Sequence, residues 1–97
     1  MKPFRWSAEK NETLREERGV SFESILVAVE SGGLLDLLAH PNQAKYPRQR
    51  ILVVACDNYA CLVPFVEEED YFFLKTIIPS RKATRDYLSQ GETDAES

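Results

Sequence analysis

The residues best suited to chemistry lie in the last quarter of the chain. There Ser80-Arg81-Lys82-Ala83-Thr84-Arg85 follows an apolar run, Tyr71 to Ile78, that holds one charge, Lys75. Ser80 is a helix-capping type, so Arg81 and Lys82 fall in a first helical turn. Exposed N–H groups there carry partial positive charge and normally attract acids. Two cations at that place make sense with an anion bound at the helix start. Helical spacing puts Arg81 and Arg85 on one face and lets Lys82 pair with Asp86. The competing reading is a solvated basic helix whose charges pair with Glu67–Asp70 or with a partner protein. Arg50 joins the same anion site if its strand lies near the apolar run, and is otherwise a surface or edge-strand arginine. Tyr46, beside Lys45 and Arg48, is placed to stack on a base or donate a proton, or simply to pack on the sheet.

Other chemistries are poorly served. One histidine, His40, rules out a histidine-pair acid/base scheme. The two cysteines, Cys56 and Cys61, cannot form a four-ligand zinc site and read as small buried hydrophobes. Glu67–Asp70 lacks metal-loop spacing, and no glycine-rich phosphate loop or nucleophile elbow occurs. No metal or cofactor is expected. The 97 residues fit one domain, with 43% hydrophobic and 29% charged residues typical of a globule. The longest apolar stretch, Ile51 to Cys56, is far below the ~20 residues of a membrane span, and no secretory signal is evident. The expectation is a cytoplasmic, soluble protein that does not engage membranes.

The formal charge of −4 argues against a polyanionic partner, but charge is unevenly placed. Residues 51–70 carry −5, whereas 34–50 carry +2 and 71–90 carry +3. A polyanion responds to the field within ~8 Å at physiological salt, more than to the total.

The elements that must position these residues can be read from pattern. Ser7 caps a helix over Ala8–Arg18 that stops at Gly19. Lys10, Leu14 and Arg18 share one face, which leans Lys10 toward the body of the protein beside Trp6. Ser21 caps a second helix, from Phe22 to about Ser31, with Phe22, Ile25, Leu26 and Val29 facing the core. Four strands follow, Leu34–Ala39, Arg50–Cys56, Tyr59–Val66 and Tyr71–Ile78, with Asp57-Asn58 as a hairpin turn. Pro64 implies a bulge or an unpaired edge within the third. In the fourth, Phe72, Leu74, Thr76 and Ile78 alternate with Tyr71, Phe73, Lys75 and Ile77. A last helix runs from Arg81 to about Ser89. The predicted class is α+β: two N-terminal helices and a short C-terminal helix packed on one face of a four-stranded antiparallel sheet. The domain spans 1–90, and the acidic tail, 91–97, reads as disordered.

Four segments resemble the BrnT family of bacterial type II toxins, ribonucleases with a RelE-like fold. They are Phe4-Arg5-Trp6 with Lys10-Asn11; Arg18-Gly19-Val20-Ser21-Phe22-Glu23; Gln49-Arg50 before Ile51-Leu52-Val53-Val54; and Ile77-Ile78-Pro79-Ser80-Arg81-Lys82-Ala83-Thr84. The likeness spans residues 4–88 and departs from the family pattern at Arg18, Gln49 and Pro79-Ser80. It implies a metal-independent endoribonuclease that blocks translation. Arg50, Arg81 and Lys82 would stabilise the phosphorane formed when a 2′-hydroxyl attacks the adjacent phosphate. Lys10, Lys75, Arg85 and Tyr46 would hold the RNA. The general base stays open among a lysine, Tyr46 and Glu23. The implied partner is a cognate antitoxin of the ribbon-helix-helix type, through which alone DNA would be met. The alternative is a RelE-like interaction module without catalysis.

Overall fold

A computed structural model describes residues 2–88. In chain order the elements are β1 (Phe4–Arg5), α1 (Ala8–Arg18), α2 (Phe22–Glu30), β2 (Leu34–Ala39), β3 (Gln49–Cys56), β4 (Tyr59–Glu67), β5 (Phe72–Leu74), β6 (Ile78–Pro79) and α3 (Arg81–Leu88). The expected tail, 91–97, lies outside the described residues.

Local chemistry accounts for the helix boundaries. Ser7 Oγ accepts from the Lys10 N–H and Ser21 Oγ from the Ser24 N–H, each satisfying an otherwise orphaned donor. Gly19 closes α1 at φ 67°, a left-handed conformation that costs glycine nothing. Asp57 and Asn58, at φ 54° and 65°, supply the two left-handed residues of a tight hairpin turn between β3 and β4.

The fold class is α+β, but the sheet differs from the four antiparallel strands predicted. Its order is β1-β5-β4-β3-β2, with β6 also paired to β4. β1 runs parallel to β5, so the sheet is mixed. A two-residue strand such as β1 is too short to show any alternation, which is why pattern reading passed over it.

The predicted fourth strand is broken in two. Lys75, Thr76 and Ile77 leave the ladder, and β5 and β6 pair with opposite ends of β4. Pro64 faces the gap between them. It lacks an N–H to donate, and its carbonyl accepts from the Lys75 N–H at 2.8 Å. The break resets the side-chain parity. Leu74 and Ile77, three residues apart, are both buried in one core, while Ile78 is 41% exposed.

Nor do the helices share a face. On one side α1 and α2 cover Leu52, Val54, Cys61, Val63 and Phe65 with Leu14, Phe22 and Ile25, and Trp6 stacks on Phe22 at 5.5 Å. On the other side α3 rests on Val53 and Ala60 through Ala83. Within the first stripe Phe22 and Ile25 are fully buried, and Leu26 and Val29 are half-buried.

In α1 the inward polar residue is Asn11 and not Lys10. Asn11 is 7% exposed and Lys10 is open to solvent. The carboxamide explains the choice: Oδ1 accepts from the Phe22 N–H at 2.8 Å, and Nδ2 donates to Glu23 Oε1 at 2.7 Å. An ammonium can only donate, so Lys10 could not satisfy the buried Phe22 amide.

Candidate nucleic-acid interface

The Ser80 backbone amide and the Thr84 hydroxyl fasten the start of α3 to β4, while the Ser80 hydroxyl caps the helix itself. Ser80 Oγ accepts from the Ala83 N–H at 3.1 Å, and the Ser80 N–H bonds to Ala60 O at 3.0 Å. Thr84 Oγ1 donates to Ser80 O at 2.7 Å and accepts from the Ala60 N–H at 2.8 Å. At the far end Tyr87 Oη donates to Asp36 Oδ2 at 2.6 Å, tying α3 to β2. That bond holds the Asp36 carboxyl below its ordinary range and raises the Tyr87 phenol above its own. With the inward face so fixed, Arg81, Lys82 and Arg85 are left outside.

The three cations of α3 do not stand alike. Lys82 Nζ lies 2.8 Å from Asp86 Oδ2, as spacing predicts, and its side chain is 78% exposed. This bond holds the Asp86 carboxyl low, with Arg85 a weaker contributor 3.9 Å from the other oxygen. Arg81 is exposed, and among the described residues no hydrogen bond or ion pair engages its side chain. No acid occupies the first turn of α3, so Arg81 sits unopposed at the positive end of the helix dipole. A recess of about 180 Å³ opens beside this helix at its contact with the sheet, lined by Leu38, Leu62, Ser80, Lys82, Asp86 and Tyr87 among others.

The remaining predicted residues lie elsewhere. Arg50 pairs in register with Phe65, which belongs to the core under α1 and α2, so it projects from the sheet face opposite α3. It also sits five residues along β3 from Ala55, the partner of Ala60, roughly 17 Å away along the strand. Its Nη2 is 3.2 Å from Glu67 Oε1, and Lys2 Nζ holds Oε2 of the same carboxylate at 3.0 Å. Chiefly through the Lys2 hydrogen bond, Glu67 is held below the usual glutamate range. Arg48 pairs with Glu68 at 3.3 Å. The acidic turn therefore engages Lys2, Arg48 and Arg50 rather than the cations of α3.

Tyr46 is half-buried against His40, with ring centroids 4.6 Å apart, and Lys45 Nζ lies 5.4 Å from its centroid. Lys75 is exposed in the link between β5 and β6. Lys10 projects from the outer side of α1. Arg81, Lys82 and Arg85 are thus brought together, Lys75 lies a few residues before them in the chain, and Arg50, Tyr46 and Lys10 are held apart.

Several structurally important polar residues escaped pattern reading. Asn11 gave a signal, since it lies three residues before Leu14 and so shares its face. Arg18 donates from Nη1 to Ile77 O at 2.7 Å, satisfying a carbonyl that the broken strand leaves unpaired. Nothing in sequence spacing links those two positions, 59 residues apart. Glu23, a candidate base, has its carboxyl lowered mainly by Asn11. Cys61 is 2% exposed and burial pushes its thiol up to about 11, which leaves it protonated and inert. Both cysteines are free. Among the described residues no cluster of three or more His, Cys, Asp or Glu side chains could hold a metal ion, and no helix is long and apolar enough to cross a membrane.

The arrangement on α3 can offer a planar guanidinium fork and an adjacent ammonium to the oxygens of a phosphodiester, with Arg85 one turn further along. Exposed pairs such as Lys82–Asp86 are weak and exchange readily for another anion. Comparison with family models, with curated proteins and with solved structures finds no match to this chain.

Proposed function

We propose that the protein is the toxin of a bacterial type II toxin–antitoxin pair, an endoribonuclease that contacts the RNA backbone through the start of α3. The observation that carries the reading is Arg81: exposed, unpartnered among the described residues, and aimed outward by the Ser80–Thr84–Ala60 latch. Arg81 and Lys82 stabilise the charge that builds on the phosphorus centre, and Arg85 and Lys75 bind the flanking strand. Arg50, paired with Glu67 on the opposite face, is not part of that contact. The four segments of the family likeness also support the reading, because they supply its framework: Trp6 on Phe22, the Gly19–Ser21 corner, the start of β3 and the β6–α3 junction.

A cognate antitoxin of the ribbon-helix-helix type holds the enzyme inactive and carries the pair to DNA. The test is growth arrest on expression, with degradation of total RNA by the purified chain. Arg81→Ala should relieve the arrest and abolish cleavage while leaving the thermal midpoint unchanged. Intact RNA at every protein concentration, beside an active ribonuclease toxin as control, would refute the enzymatic reading.

A second reading is a non-catalytic interaction module of the same fold. The observation favouring it is the division of cations between two faces, with Arg50 and Lys82 each neutralised by a carboxylate of the same chain. Toxicity that persists in Arg81→Ala, without RNA cleavage, would select it.

A further inference from the structure

β2 is the edge strand of the sheet, and among the described residues nothing pairs with its outer side. Its sequence, Leu-Leu-Asp-Leu-Leu-Ala, carries no lysine or proline to discourage pairing. Leu37 is 47% exposed on the α1/α2 face of the sheet, and Leu38 is 37% exposed on the α3 face. The edge is therefore apolar on both sides. The bulge between Leu34 and Asp36 twists its beginning and leaves Asp36–Ala39 as the regular part, with His40 just beyond the strand still bonded to β3.

The main-chain pattern selects how a second strand would add. The His40 N–H bonds inward to Gln49 O at 3.3 Å. Alternation then turns the N–H and C=O of Leu37 and Ala39 outward. The Leu37 N–H is met by Asp36 Oδ1 at 2.8 Å, while the Ala39 N–H and Leu37 C=O face the open edge.

We infer that this edge pairs antiparallel with β2 of a second copy of the chain, about a two-fold axis at Leu38. In this register Ala39 N–H bonds to Leu37 C=O of the other copy, and its symmetry mate repeats the bond. Leu38 meets Leu38 in the close, non-hydrogen-bonded position. Asp36 falls opposite His40, and no like charges face one another. The complementarity extends to hydrogen bonding. His40 Nδ1 accepts from the Asn42 N–H at 2.9 Å, which leaves Nε2 as the ring's donor toward the Asp36 carboxylate. Registers centred on Leu37 place Asp36 opposite Leu38 and lose that match. An isologous axis of this kind closes the assembly at two copies. It joins two sheets into one and keeps both α3 helices on the same side. The inference uses no residue assigned above to RNA contact and stands whether or not the chain is a ribonuclease.

The contact spans few residues, well below the ~800 Å² per partner of a tight interface, so dimerisation is concentration-dependent. Light scattering of the full chain between ~10 and ~500 µM, a range suited to a weak complex, should show the mass rising from 11.1 kDa toward twice that value. Leu38→Lys should hold the monomer mass throughout, with an unchanged circular dichroism spectrum, since the side chain is partly exposed. Leu38→Cys under mild oxidation should give a covalent dimer bridged at residue 38, identified by peptide mass, at least tenfold faster than Ala39→Cys. A wild-type mass fixed at 11.1 kDa across the range would overturn the inference. So would a Leu38→Lys dimer, or equal cross-linking at 38 and 39.

Discussion

On one side of the sheet, α1 and α2 seal Leu52, Val54, Cys61, Val63 and Phe65 beneath Leu14, Phe22 and Ile25, each of these at 5% exposure or less. On the other side, α3 covers Val53 and Ala60 with the methyl of Ala83 and leaves Leu38 and Ile78 at 37% and 41%. Each large side chain sealed on the first side contributes ~1.5–3 kcal/mol by leaving water. An alanine contact contributes far less. The first side therefore holds the fold together. The second presents polar and charged groups on a helix fastened by the Ser80, Thr84 and Tyr87 hydrogen bonds and by half-buried Leu35, Leu62, Tyr87 and Leu88 around Ala83. Stability and the proposed chemistry are thus housed on opposite faces, and substitutions should sort by face.

The sharpest way to break this contrast is Phe22→Ala. Phe22 is fully buried, stacks on Trp6 and opens the second helix. Its loss should cost ~3–5 kcal/mol, read as a lowered urea midpoint, a large share of the stability of so small a domain. Asn11→Ala comes next. It strands the Phe22 N–H in a buried site and should cost ~1–3 kcal/mol. Asn11→Asp would restore only the acceptor and set a second carboxylate beside Glu23, so it should rescue incompletely.

A smaller effect, conditional on pH, belongs to Glu67. Its native pKa lies below the ordinary 4.5 because Lys2 and Arg50 favour the charged form. The ion pairs therefore stabilise the fold above the unfolded pKa, and that contribution is lost as pH falls through the lowered native value. Glu67→Gln should reduce stability at neutral pH and flatten the acid limb of the stability curve, measured by denaturant melts at stepped pH. Arg81→Ala should move stability least, within ~0.5 kcal/mol, while removing the proposed RNA contact. A large loss of stability in Arg81→Ala would erase the distinction between the faces.

The parts of this architecture that were legible in the sequence are those set by local chemistry. Ser7, Gly19 and Ser21 mark their helix ends by what one side chain or one φ angle can do, and Asp57-Asn58 marks its turn in the same way. The apolar run Tyr71–Ile78 was not legible, because a nearly unbroken row of large hydrophobes looks alike whether it alternates or skips a step. Pro64, on the neighbouring strand, carried the missing signal, since a residue without an N–H weakens the ladder across from it. The cations of α3 were placed together correctly by helical spacing. Arg50 was not excluded from them, because strand parity says which residues share a face without saying which face a later helix will choose. Lys10 and Asn11 differ by a single position, and the decision between them rests on an amide of α2 that α1's own sequence does not reveal.

The bond from Arg18 to the Ile77 carbonyl has a mechanical corollary. It clamps the end of the first helix to a residue lying just upstream of the last short strand, and Pro79 and Ser80 then lead directly into the terminal helix. The corner between the first two helices and the lead-in to the terminal helix are therefore joined by one side chain, and Arg18→Ala would leave the Ile77 carbonyl without that donor.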